Sequence, residues 1–159
     1  MLLLLLLFPF LVSFKLLDVP FVRQKDQFCG PASLSSVLAY YGLQVPQEEI
    51  AEKTYIPKLK GALITDLENY TKGLGLRTRL ERGSLQHLRK AVDEGIPSII
   101  LVDIGLLWQS LPHYMVVVGY EGEDFYLHTG YEEKKLMSSK ELDRIWGKMG
   151  RAMLLVYPP

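Results

Sequence analysis

Cysteine is almost absent from this chain: Cys29 is the only one among 159 residues. A single cysteine excludes an internal disulfide, and it excludes zinc or iron–sulfur sites built from several thiolates. Neither sign of charge is in excess. Eighteen basic side chains balance eighteen acidic ones, for a formal net charge of zero. No block of like charge stands out, so neither nucleic acid nor acidic lipid is suggested as a partner. Gly-x-x-x-x-Gly-Lys-Ser/Thr and Gly-x-Gly-x-x-Gly are both missing, which removes support for nucleotide chemistry. No cofactor and no metal is expected. Histidine is scarce too, with three residues to consider as acid or base.

The one long apolar run is terminal. Met1 to Phe14 is almost all leucine and phenylalanine. It is too short for a membrane span, which needs roughly 20 residues. It better matches the apolar part of a secretory signal, although no lysine or arginine precedes it and no clean Ala-x-Ala follows. Export to the periplasm or the outside is expected, with cleavage around Ser13 to Leu16. Left uncleaved, the leader would attach the protein loosely to a membrane. Residues 1–15 are assigned to this leader and 16–159 to one domain, which is long enough for a sizeable core.

Within the domain, Leu34, Val37, Leu38 and Tyr41 recur at helical period. Pro31 suits the first turn of that helix, and Gly42 suits its end. Asp18 to Arg23 reads as an edge strand or extended arm because it contains Pro20. Further helices are expected over Gln47 to Lys53, Leu63 to Lys72, Leu85 to Glu94, and from Ser138 through Trp146. Thr65 with Glu68 and Ser138 with Glu141 have capping-box spacing, and Ser84 reads as an N-cap. Tyr55 to Gly61 reads as a loop. Strands are expected over Leu76 to Glu81, Pro97 to Asp103, His113 to Tyr120, Asp124 to His128 and Arg151 to Tyr157. Glu121-Gly122 suits a tight hairpin. Helices first and mostly antiparallel strands afterwards indicate an α+β fold. Gly105 to Pro112 is a loop carrying Leu106, Leu107 and Trp108, which either line a cleft or pack down as a lid.

Cys29 falls at a helix start, where unpaired N–H groups and the positive end of the dipole favour thiolate. A lowered thiol pKa is therefore expected. The bland alternative is a buried, inert cysteine. A nucleophilic cysteine needs a base. His87 lies beside Arg89 and Lys90 and reads as a surface residue. His113 opens an apolar strand, where it is either a bonded core histidine or a general base presented to a facing helix.

Gln24-x-x-x-x-Cys29-Gly-Pro-Ala-Ser-Leu, then Tyr-Tyr-Gly, then His113-Tyr-x-Val-Val-x-Gly, resembles the C39-type cysteine peptidases. These have the papain-like fold and include the double-glycine peptidases of bacteriocin exporters. The similarity spans Asp18 to Tyr157. It implies a papain-like fold with N-terminal helices on a mostly antiparallel sheet, and a peptide or protein substrate. It further implies Cys29 as nucleophile, His113 as base and later acid, and Gln24 as side-chain donor of an oxyanion hole. The N–H of Cys29 would be the second donor. Gln24 is expected in an exposed loop. The exporter peptidases are fused to membrane helices and an ATPase, so this chain is expected to be a stand-alone form.

Where the family usually has Asp-Pro, this chain has His128-Thr129. With a Glu121-Gly122 loop, His113 falls opposite Gly130, and His128 falls diagonal to it on the same sheet face. His128 is therefore the expected orienting residue. The expected activity is peptide hydrolysis through an acyl-enzyme. The alternatives are thiol acyl transfer or amidase activity, and an inactive peptide-binding domain.

Overall fold

The computed structural model describes residues 12–159, so most of the apolar leader lies outside the described residues. The central element is α1 (Cys29–Tyr40). Its buried residues run from Gly30 to Leu38, so it is enclosed on all sides rather than along one stripe. Pro31 falls in the first turn, where a missing N–H costs nothing. The helix stops at the Tyr41–Gly42 turn, with Gly42 at φ +81°. Around it pack α2 (Gln47–Thr54) and α3 (Ile64–Gly73). The Tyr55 to Gly61 stretch, expected as a loop, is more ordered than that. β2 (Tyr55–Ile56) and β3 (Gly61–Ala62) form a small ribbon across a 3₁₀ turn at Pro57–Leu59. The Thr65–Glu68 capping box does not form: α3 starts at Ile64, and no side chain caps it.

The second layer is one antiparallel sheet of seven strands. It contains β1 (Phe14–Leu16), β4 (Thr78–Arg82), β5 (Ser98–Asp103), β6 (Pro112–Glu121), β7 (Asp124–His128), β8 (Lys135–Met137) and β9 (Ala152–Val156). The order is β4-β9-β5-β6-β7-β8. β5 pairs with Pro112 to Val117, and β1 pairs with Gly119 to Glu121 where β5 has ended. Phe14 and Lys15, which the sequence places in the leader, are thus part of the sheet. Asp18 to Arg23 is the extended arm that leads from β1 to α1. Two amphipathic helices complete the fold, α4 (Leu85–Asp93) and α5 (Ser139–Gly147). Ser84 and Ser138 cap them by accepting the N–H of His87 and of Glu141.

The β6–β7 hairpin departs from the expected register in two ways. Its turn is Gly122-Glu123, with Glu121 opposite Asp124. That shift of two residues alone would leave every side chain on its expected face. A bulge between Val117 and Gly119 then adds one more residue and sets His128 opposite Val116. Val116 is three residues from His113, so His128 lies on the other face of the sheet.

Candidate active site

β7 stops opposite Val116, so among the described residues Pro112 to Met115 has no strand beside it along that edge. The first turn of α1 and the turn after β7 fill the space. A Cβ on Gly30 would stand 3.2 Å from both Tyr114 Cδ2 and Leu67 Cδ1. Glycine after the cysteine therefore lets α1 approach β6 closely. The half-buried Cys29 thiol lies beside the main-chain N–H groups of Tyr114, Gly30 and Cys29 itself. The Tyr114 N–H belongs to the peptide that joins it to His113. Cys29 therefore meets the main chain at His113–Tyr114, although Cys29 and His113 lie 84 residues apart in sequence (113 − 29).

Burial raises the Cys29 pKa above its ordinary value, and the three N–H groups lower it by less. This overturns the expectation of a depressed thiol pKa, because helix-start donors do not outweigh the loss of water. Burial likewise lowers the His113 pKa, with the Thr129 hydrogen bond acting the other way. Both shifts favour the uncharged forms, thiol and imidazole.

His113 is only 6% exposed, and its Nε2 lies 2.5 Å from the main-chain oxygen of Thr129. A carbonyl can only accept, so Nε2 carries the proton and Nδ1 is left as the basic nitrogen. The orienting group of this site is thus a peptide carbonyl. His128 does not take that part. Its Nε2 donates to Val19 O at 2.8 Å, and its Nδ1 accepts the Lys134 N–H at 3.1 Å. It ties the N-terminal arm to the loop before β8, with Phe21 edge-on to its ring. The bulge in β6 turned it away from His113. His87 is exposed on α4, as read from its neighbours.

Gln24 is buried rather than in an exposed loop, at 8% exposure. Its main-chain N–H donates to Gly130 O at 2.9 Å. Its side-chain Nε2 donates to Asp26 O at 2.9 Å and to the Tyr131 hydroxyl at 3.0 Å. Its Oε1 is buried without a hydrogen-bond partner among the described residues. That atom fills the hollow over Gly130, where an added Cβ would lie 2.2 Å from it.

Thr129-Gly130-Tyr131 therefore organises the site, and sequence reasoning did not single it out. Three successive carbonyls accept from His113 Nε2, Gln24 N and Arg23 Nη1. The Thr129 hydroxyl accepts the N–H groups of Tyr131 and Glu132, which shapes the turn. The Tyr131 ring lies parallel to His113, within 7°, at a centroid distance of 5.9 Å. The available signal was Gly130 and the aromatic Tyr131 directly after the His128-Thr129 pair that stands where the family has Asp-Pro.

Beside His113 opens a cavity of about 330 Å³ with an apolar floor of Ile104, Met115, Met137 and Ile145 and a charged rim that includes Arg144 and Glu141. Leu106 is part of its wall. Leu106, Leu107 and Trp108 are 82%, 87% and 91% exposed, so the loop edges the cleft and does not pack down over the core. The Asp103 carboxylate holds the base of that loop by accepting from Gly105 N, Leu111 N and Ser110 Oγ.

Comparison with known proteins places this geometry. No curated protein matches the chain. A C39-like peptidase from Bacillus anthracis superposes with a TM-score of 0.76 at 19% identity, over 92% of this chain and 98% of that one. A double-glycine-motif protease from an AMS/PCAT transporter, solved in complex with the leader peptide, gives 0.74 at 24%, over 91% and 95%. The peptidase domain of Streptococcus ComA, a bifunctional ABC transporter of a quorum-sensing pathway, gives 0.72 at 23%, over 92% and 100%. At these identities the likeness is one of fold. The family model described as the Peptidase_C39 like family matches residues 16–154, and the chain belongs to that family.

Proposed function

We propose that this protein hydrolyses peptide bonds through a Cys29 acyl-enzyme. What carries the reading is the Cys29 thiol placed at the start of α1 and beside the main chain of the residue that follows His113. In the first step the sulfur bonds to the scissile carbonyl carbon as its proton passes to His113 Nδ1. Because burial favours the uncharged form of both groups, attack and proton transfer proceed together, by general-base catalysis. Negative charge develops on the carbonyl oxygen. Gln24 Nε2 and the N–H of Cys29, at the first position of α1, are its donors. The carbon–nitrogen bond then breaks, and the leaving amine takes the proton from His113. Water, deprotonated by His113, attacks the thioester and returns the thiol. The Thr129 carbonyl keeps the imidazole in the tautomer this cycle needs, and it stabilises the imidazolium less than a carboxylate would. The cavity beside His113 is suited to an apolar substrate side chain.

Acyl transfer to an amine uses the same thioester, and adding an amine to the assay tests it by the product formed. A non-catalytic peptide-binding role is favoured by one observation, the burial-raised pKa of Cys29. A cysteine-directed activity probe separates the two. Catalysis requires labelling at Cys29 that is abolished in Cys29→Ala and strongly reduced in His113→Ala. Equal labelling of the His113→Ala variant would leave only the binding role.

A further inference from the structure

Gln24 has two amide hydrogens, and both are in use. One goes to Asp26 O, two residues along the same loop, and the other to the Tyr131 hydroxyl. The first bond is local and fixes the side chain. Only the second can be given to a substrate without dismantling the loop. The Tyr131 hydroxyl oxygen thus lies where an oxygen accepting from Gln24 must lie. The same side chain covers the base, since its ring is parallel to His113. It is nonetheless 53% exposed, so it can swing outward without disturbing the core. Its main chain is fixed separately, by Arg23 Nη1 on its carbonyl and by Thr129 Oγ1 on its N–H.

We propose that Tyr131 is a substrate-displaced stopper: its hydroxyl holds the place on Gln24 Nε2 that the scissile carbonyl oxygen takes, and its ring shields His113. The inference rests on the proposed role of Gln24 as oxyanion donor. In the resting enzyme the hole is filled by the chain's own oxygen. A substrate gains the Gln24 hydrogen only by breaking the Tyr131 bond. A carbonyl seated well enough to displace the hydroxyl meets a hole that is otherwise already built. A thiol attacking without such a carbonyl receives no help from Gln24.

Tyr131→Phe tests this, because it removes the hydroxyl and keeps the ring. The probe is p-nitrophenyl acetate, whose acetyl group passes to the Cys29 sulfur as p-nitrophenolate leaves. The burst of p-nitrophenolate reads acylation, which builds an oxyanion. Iodoacetamide alkylation of the same thiol is a displacement at carbon and builds none. Tyr131→Phe is expected to speed the burst by about two- to tenfold, the worth of one ordinary hydrogen bond, and to leave alkylation unchanged. Gln24→Ala slows the burst, and adding Tyr131→Phe to it gives no gain. A Tyr131→Phe burst that is unchanged or slower, while Gln24→Ala still slows it, overturns the stopper and makes Tyr131 a support for Gln24. A burst that survives Cys29→Ala, or that Gln24→Ala leaves unchanged, overturns the catalytic reading itself and the stopper with it.

Discussion

Cys29 shows how two local effects of opposite sign are decided by magnitude. The start of α1 offers N–H groups to a thiolate, and these lower the pKa. The same packing that brings α1 against Tyr114 removes water from the sulfur, and that effect is larger. The alkylation rate with iodoacetamide should therefore rise through a midpoint above the free-cysteine value of about 8.5. A midpoint below that value would mean that His113 stabilises the thiolate more than burial opposes it. Cys29 and His113 were legible in the sequence as candidates for nucleophile and base, because cysteine at a helix start and histidine at a strand mouth are side-chain signals. The orienting group was not, because it is the main-chain oxygen of Thr129, which any residue would supply. Gln24 was legible as a candidate donor but not as buried. Its burial comes from Gly130 and Tyr131, more than a hundred residues later in the chain.

Among the elements, the turn after β7 has the most to do and the least sequence signal. Gly130 sits at φ +89°, a conformation that strains any side chain, and it leaves the hollow that receives Gln24 Oε1. Gly130→Ala should cost stability, by roughly 1–3 kcal/mol for strain at such a residue. It should also push the Gln24 amide out of place, so kcat should fall toward the loss of about 10²–10³ seen when an oxyanion donor is removed. Circular dichroism and thermal melting would check the first effect, and burst kinetics the second. Unchanged acylation in a folded Gly130→Ala protein would detach Gln24 from the chemistry. Helix α1 was readable from its apolar periodicity, and α4 and α5 from periodicity together with N-cap serines. β1 and β8 were missed: each has three residues, too few for alternation to register, and only its neighbour strand makes it one. The β6 bulge left no mark in an apolar Val-Val-Val run, yet it decided which face His128 occupies.

On the scale of the molecule, His128 joins parts of the chain that lie far apart in sequence. It bonds Val19, on the arm between β1 and α1, and Lys134, on the loop into β8. Making both bonds at once requires the neutral ring, because Nδ1 can accept the Lys134 N–H only when unprotonated. Burial lowers its pKa, while the Val19 carbonyl and Glu133 act to raise it and Lys134 to lower it. In the unfolded chain the ring titrates near the ordinary value of about 6.5. Below that pH the unfolded state binds a proton that the folded state does not, so stability falls with pH. It is fully present above about 6.5 and is lost as pH drops toward the lower folded pKa. His113 is buried with the same sign and adds to the slope. His128→Ala should lower stability by about 1–3 kcal/mol near neutral pH, because it leaves buried partners unpaired. It should also flatten the fall in Tm between about pH 7 and pH 5, leaving the His113 contribution. The burst rate of the folded variant should stay near wild type, since His128 faces away from His113. Thermal melts of both proteins across that range, with burst kinetics at neutral pH, decide the matter. An unaltered slope would place the titration elsewhere. A collapse of the burst rate with Tm preserved would return His128 to the chemistry, against the register that the bulge imposes.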